Sequence, residues 1–197
     1  MKKSMKVIAS LLAVVLLFMS PSPTYAMSQQ NTIAHQALKK QIIADKRKYC
    51  NWVRPKIKYV YADIDGDHVS ELITEPGYGY LTQAIYDYQN GKVKNVASVG
   101  QGSFTKYYPK HKVLYVKNSG HMGVLWDYYY KYVNGTYKLV ACAEKDYGNR
   151  SYDEKPEQII YTVKGQEVTK AEYSAYTKKI IKNESGKSFS KLKWKRY

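Results

Sequence analysis

An α+β fold is what the sequence predicts: an antiparallel β-sheet meander of blade-like hairpins, flanked by an N-terminal and a C-terminal helix. Three observations carry it. Between residues 57 and 163, β-branched and aromatic residues recur in short runs separated by turn signals, as in half-buried strands. Two of those turns are Asn-Gly pairs, Asn90-Gly91 and Asn134-Gly135, which suit two-residue hairpins because both residues take positive φ readily. At either end the apolar positions change to helical spacing, over residues 32–52 and 169–182.

Taken in order, residues 1–26 read as a signal peptide. Lys2, Lys3 and Lys6 form a basic n-region, residues 7–18 an apolar h-region, and Ala26 a small residue suited to cleavage. The apolar run is too short to span a bilayer comfortably, and no Cys follows it to carry a lipid anchor. The protein is therefore expected to be secreted, extracellular or cell-wall associated, with residues 27–197 as a single domain. Residues 27–31 are polar and expected to be disordered. Thr32 suits a helix N-cap, and Ile33, Ala37, Leu38, Ile42, Tyr49 and Trp52 form an apolar stripe that should cover a sheet, with Pro55 ending the helix.

Strands are predicted at 57–62 and 72–75, then as hairpins at 83–88 with 92–99 and at 128–133 with 136–143. The hairpins resemble each other at an offset of 44 residues: Tyr86, Tyr88, Asn90, Gly91, Lys94, Val96 and Ala97 match Tyr130, Tyr132, Asn134, Gly135, Lys138, Val140 and Ala141. A period of that size suits blade-like meanders, but two units are too few to close a propeller. A partly duplicated antiparallel sheet is the reading, with chance convergence of hairpin sequences as its alternative. A strand at 158–163 follows, then a helix opened by the capping box Thr169 and Glu172, with Tyr173, Tyr176, Ile180 and Ile181 on one face. Residues 188–197 alternate apolar and basic side chains imperfectly, as a final edge strand or tail.

One loop carries distinctive chemistry. In DIDGDHVSE, residues 63–71, Asp63, Asp65 and Asp67 alternate, Gly66 allows a tight bend, and Glu71 returns after Val69. A hard divalent cation takes six to eight oxygens. These four carboxylates, the Val69 backbone carbonyl and a water would supply them to Ca²⁺. Four of the 16 acidic residues of a strongly basic chain lie here, and their mutual repulsion calls for a cation. The loop is not an EF-hand, since His68 and Thr74 stand where that loop has Gly and its terminal Glu, and strands flank it. The competing reading is a metal-free hairpin in which the Asp side chains accept from neighbouring amides.

On these residues the chain resembles the calcium loops of the FG-GAP and VCBS type, which occur in integrin-like β-propeller blades. From Tyr59 through YDYQNGKV at 86–93, and again in YTVKGQEVTKAEY at 161–173, it is similar to a group of small secreted proteins of Gram-positive bacteria whose biochemical role is unassigned. The resemblance covers residues 57–180 and implies a calcium site. His68 departs from it, replacing a second Gly.

Without the three leader lysines the formal net charge falls from +16 to +13, which suits contact with anionic cell-wall polymers or a membrane surface. Many secreted proteins are basic without such a partner. No motif for specific nucleic-acid recognition is present. Tyrosine is abundant, and Trp126, Tyr128, Tyr130 and Tyr132 share one side of a strand, where they would offer a protein or glycan ligand a face unless they serve as core. Cys50 and Cys142 are either one disulfide or two buried thiols. For catalysis the only candidates are His111 or His121 with Asp127 or Glu144, without a nucleophile or zinc motif beside them. The functional expectation is a secreted or cell-envelope-associated non-catalytic protein with a structural calcium loop. The alternatives are a calcium-dependent hydrolase or nuclease, or an inhibitor or accessory subunit of another exported protein.

Overall fold

A computed structural model describes residues 23–49, 56–76, 82–99, 104–119, 123–152 and 154–197. Helix α1 (Pro23–Tyr49) precedes β1 (Lys58–Ala62), β2 (Glu71–Glu75), β3 (Gln83–Gln89) and β4 (Lys92–Val99). A second run follows: β5 (Phe104–Tyr108), a 3-10 turn (Pro109–His111), β6 (Val113–Ser119), β7 (Val124–Val133) and β8 (Thr136–Asp146). The chain closes with β9 (Gln158–Val163), β10 (Gln166–Val168), α2 (Lys170–Ile181), β11 (Lys187–Ser188), a 3-10 turn (Phe189–Lys191) and β12 (Lys195–Arg196).

The α+β class and the flanking helices are as predicted. The strands form two antiparallel sheets, ordered β12-β1-β2-β3-β4 and β10-β9-β8-β7-β6-β5-β11. Each contains one four-stranded meander, β1 to β4 or β5 to β8. Both meanders have an apolar face, and the two faces bury one another: Val60, Ile73, Ile85 and Val96 from the first pack with Tyr107, Leu114, Val116 and Tyr137 from the second.

The 44-residue offset is structural. Asn90 and Gly91 have φ of 50° and 78°, and Asn134 and Gly135 have 52° and 77°, so both turns place two residues in the left-handed region. Register also slips once in each hairpin. Ile85 pairs with Ala97 and Tyr86 with Asn95, leaving Val96 as a bulge; Tyr129 pairs with Ala141 and Tyr130 with Leu139, leaving Val140. Those two bulge residues are among the positions matched in the sequence.

Helix α1 covers the outer face of the first sheet through Ala34, Leu38 and Ile42, which pack on Ile57, Leu72 and Ala84. Its register differs from the expected stripe, since Ile33 is exposed. It also begins earlier: residues 27–31 are helical, and Thr32 lies inside the helix rather than at its cap. No Gly or Pro interrupts residues 24–49, and Pro23, lacking an N–H, is compatible with a first helical turn. Buried Asp45 closes this interface, accepting from the Thr74 hydroxyl at 2.6 Å, the Tyr86 hydroxyl at 2.9 Å and Gln41 Nε2 at 2.8 Å. Cys50, Trp52, Pro55 and residues 1–22 of the expected leader lie outside the described residues, while its last four residues, 23–26, open α1.

Helix α2 sits on the outer face of the second sheet, where Ile180 packs with Val113 and Tyr108. Its capping box is formed as predicted. The C-terminal segment then crosses between sheets: β11 pairs with β5, and β12 with β1 at the edge of the first sheet. Phe189 is buried between the sheets, with Leu192 and Trp194 against the same core. Among the described residues no helix is long and apolar enough to cross a membrane.

Candidate metal centre

The acidic loop joins β1 to β2 at one end of the inter-sheet core. Its fold follows from its alternation. Asp63 Oδ1 accepts from the Gly66 amide at 2.7 Å and Oδ2 from the His68 amide at 3.1 Å; Asp65 Oδ1 accepts from Asp67 N at 3.2 Å, and Asp67 Oδ1 from Val69 N at 2.7 Å. Ile64 and Val69 point inward on either side and anchor the loop to the two cores. Asn31 of α1 accepts from the Ser70 amide at 3.3 Å, so helix and loop are joined. Gly66 has φ of +79°, and a Cβ there would stand 2.7 Å from the Pro109 carbonyl oxygen. Only glycine permits that approach to the 3-10 turn, which is the counterpart of this loop in the second meander.

Three of the predicted ligands converge: Asp63, Asp65 and Glu71 each place a carboxylate oxygen within 4.8 Å of the others. Asp65 and Glu71 are buried and Asp63 is partly exposed. Asp67 lies outside that group, though near enough to contribute to its field. Glu71 Oε2 accepts from the Ile64 amide at 2.7 Å, while Oε1 is buried without a partner. Burial pushes the Glu71 pKa up to about 9, opposed by the Ile64 amide and reinforced by Asp65, Asp87 and Asp67. Burial likewise raises the Asp67 pKa, opposed by the Val69 amide and reinforced by Asp65, Asp87 and Asp63.

Sequence reading missed several groups around this centre. Lys112 Nζ lies 3.0 Å from Asp65 Oδ2. Burial works against its ammonium, but the Asp65 hydrogen bond and the charges of Asp65, Asp67 and Glu71 raise its pKa. Asp87 is buried and accepts from the Tyr132 hydroxyl at 2.8 Å and from Gln89 Nε2 at 2.8 Å. The Tyr137 hydroxyl is buried and unpartnered. Burial and the Glu71, Asp65 and Asp87 charges raise its pKa, so it stays protonated. None of these residues has a local motif; Asp87 and Tyr132 are 45 positions apart.

The all-oxygen donor set suits a hard cation such as Ca²⁺ or Mg²⁺, and its irregular spacing suits the more flexible coordination of Ca²⁺. The amide bonds to Asp63, Asp65 and Asp67 are those expected of a metal-free Asx-turn hairpin. That reading leaves Glu71 Oε1 unexplained. An acceptor buried beside two other carboxylates, with no donor, is costly unless it is protonated or meets a cation.

His68 has φ of 70°, so the position where it departs from the resembling pattern is left-handed. His68→Gly should raise stability by up to about 1 kcal/mol through relief of that conformation, less part of the entropy glycine loses on folding. Urea denaturation checks it. A loss of stability would mean that the imidazole near Asp63 is needed more than the relief of strain.

The other candidate residues have different settings. Tyr128, Tyr130 and Tyr132 pack against the inter-sheet core, and Trp126 Nε1 donates to Glu144 at 2.8 Å. Asp127 accepts from Tyr115 at 2.7 Å and pairs with Lys145. His111 Nε2 lies 3.9 Å from Glu184 Oε2, and His121 is outside the described residues. Cys142 is a free thiol, its pKa pushed up to about 11 by burial, then by Glu144 and Asp127. Compared with protein-family models, curated proteins and solved structures, the chain matches none.

Proposed function

We propose that the protein is an exported, non-catalytic binding module in which Ca²⁺ rigidifies the β1–β2 connection and a cationic surface engages anionic envelope polymers. Asp63, Asp65 and Glu71 hold the ion by their converging carboxylates, and Asp67, from outside that group, and the Val69 carbonyl complete its shell. The observation that carries this reading is the unpartnered, buried Glu71 Oε1 beside Asp63 and Asp65. The ion acts as structure: it cancels charge where both sheets meet and stabilises the fold in proportion to occupancy. The basic n-region and apolar run within residues 1–26, and the formal charge of +13 that remains without them, support export and polyanion contact.

Calorimetric titration of calcium into chelator-treated protein tests the site. One ion should bind with a Kd of about 10⁻⁴ to 10⁻³ M, as in extracellular modules. Asp65→Ala should weaken it at least about tenfold, as expected when a charged ligand is lost from so small a set. Absence of binding to the parent, or unchanged affinity in the variant, would sink the proposal.

A further inference from the structure

The inter-sheet face of the first sheet is apolar except at one end. Val60, Ile73 and Ile85 point into the core. Two residues further along each strand, at the end away from the acidic loop, the same face carries Lys58, Glu75 and Gln83. Lys58 is the register partner of both Arg196 and Glu75, and the pairing of Thr74 with Ala84 brings Gln83 beside Glu75. A polar row thus crosses β12, β1, β2 and β3 in the order Arg196, Lys58, Glu75, Gln83. Together with Phe189 and Trp194 of the C-terminal segment, these side chains line a pocket of about 370 Å³.

The row is polarised. Glu75 Oε1 accepts from Lys58 Nζ at 2.8 Å and Oε2 from Gln83 Nε2 at 2.6 Å. An ionised carboxylate can only accept, so the Gln83 amide must turn its NH₂ towards Glu75. Gln83 is 1% exposed, and its Oε1 is left buried without a donor, a cost that neither strand pairing nor core packing requires. At the other end Arg196 is exposed and makes no ion pair among the described residues. Trp194 donates its indole N–H to the Phe189 carbonyl at 2.9 Å, so its ring adds only apolar surface. Lys58 is matched to Glu75, and the one uncompensated charge is that of Arg196. Its planar fork fits a singly charged carboxylate, whereas a phosphate dianion would bring a second negative charge towards Glu75. The volume lies at the low end for small-molecule sites, which suits one sugar ring or one amino acid.

We propose that this pocket binds a small carboxylate that also carries a hydrogen-bond donor, as sugar acids and α-amino acids do. The carboxylate lies on Arg196, a hydroxyl or ammonium of the ligand donates to Gln83 Oε1, and the carbon skeleton packs on Trp194. The site is separate from the acidic loop and does not depend on the calcium reading. Titration of D-glucuronate and of L-leucine into the full chain, followed by NMR at the Trp194 indole N–H and the Gln83 side-chain amide, tests it. At least one of the two should move both signals with a Kd of roughly 1 mM or below, the scale for so small a ligand, and the one that does identifies the source. D-Glucose and L-leucinamide keep the donors and lack the carboxylate, and should bind at least about tenfold more weakly. Arg196→Gln should lose the same factor of about ten, while Lys170→Gln on α2, with the same change of charge, should bind as the parent does. Gln83→Met removes the acceptor and should also weaken binding about tenfold. Gln83 is buried, so Arg196→Gln on the exposed edge decides the matter if that variant does not fold. No shift from either ligand in the parent would overturn the proposal, as would equal binding of the carboxylate-free analogues or equal affinity in Arg196→Gln and the Lys170→Gln control.

Discussion

In the presence of a chelator, the melting temperature falls as pH is raised from about 5 to about 9, and millimolar calcium removes the fall. The sign follows from Glu71. Its carboxyl ionises near 4.5 when unfolded, whereas burial between the sheets pushes its folded pKa up to about 9. Between those values the native state retains a proton that the unfolded chain has released, so stability declines with rising pH. Its contribution is fully present below about 4.5 and lost towards 9. Each pKa unit corresponds to 1.36 kcal/mol, so the decline should reach several kcal/mol, on the order of 2–5. Bound calcium would compensate the ionised carboxylate and the slope would vanish. Glu71→Gln separates the effects: a neutral side chain of similar shape should remove most of the decline and give a higher melting temperature than the chelated parent at pH 8, with little response to calcium. A chelated parent with no pH dependence across this window would remove Glu71 as the pivot of the loop. Equal stabilisation of parent and Glu71→Gln by calcium would place the ion elsewhere.

The loop was legible because its information is local. Asp63, Asp65, Gly66, Val69 and Glu71 specify it by spacing alone, and the turn at Gly66 and the strands on both sides formed as read. The two Asn-Gly hairpins and the Thr169 capping box were legible for the same reason. What escaped reading is non-local. Lys112 reaches Asp65 because the 3-10 turn of the second meander meets the acidic loop of the first, and no feature of either segment alone announces that meeting. The division into two sheets is also tertiary: a strand with one apolar face has the same alternation whether it covers a helix or another sheet. Tyr132 illustrates the point, since its ring faces the core while its hydroxyl serves Asp87. In α1 the buried row is Ala34, Leu38 and Ile42, and small Ala34 was hidden beside the larger, exposed Ile33.

Ile64→Ala should destabilise the protein by about 2–5 kcal/mol, the usual range for emptying a buried isoleucine site, and should weaken calcium binding as well. Ile64 stands between two proposed ligands and is fully buried. It packs with Val60, Ile73, Ile85 and Leu114, so the side chain that fills the junction of the sheets also fixes the backbone carrying Asp63 and Asp65. Its amide donates to Glu71 Oε2 at 2.7 Å, tying the far end of the loop to the same point. Removing the side chain leaves that amide free to move, and the three carboxylates no longer share one held geometry. Ile64→Val keeps most of the packing and should cost only about 0.5–1.5 kcal/mol, with calcium affinity near the parent's. Urea denaturation and calorimetric titration on both variants provide the comparison. If Ile64→Ala loses stability while calcium affinity stays at the parental value, the loop holds its ion through local turns alone, and the coupling between core packing and cation binding is wrong. If both quantities fall together in alanine and recover together in valine, the inter-sheet core is what presents the carboxylates to the ion.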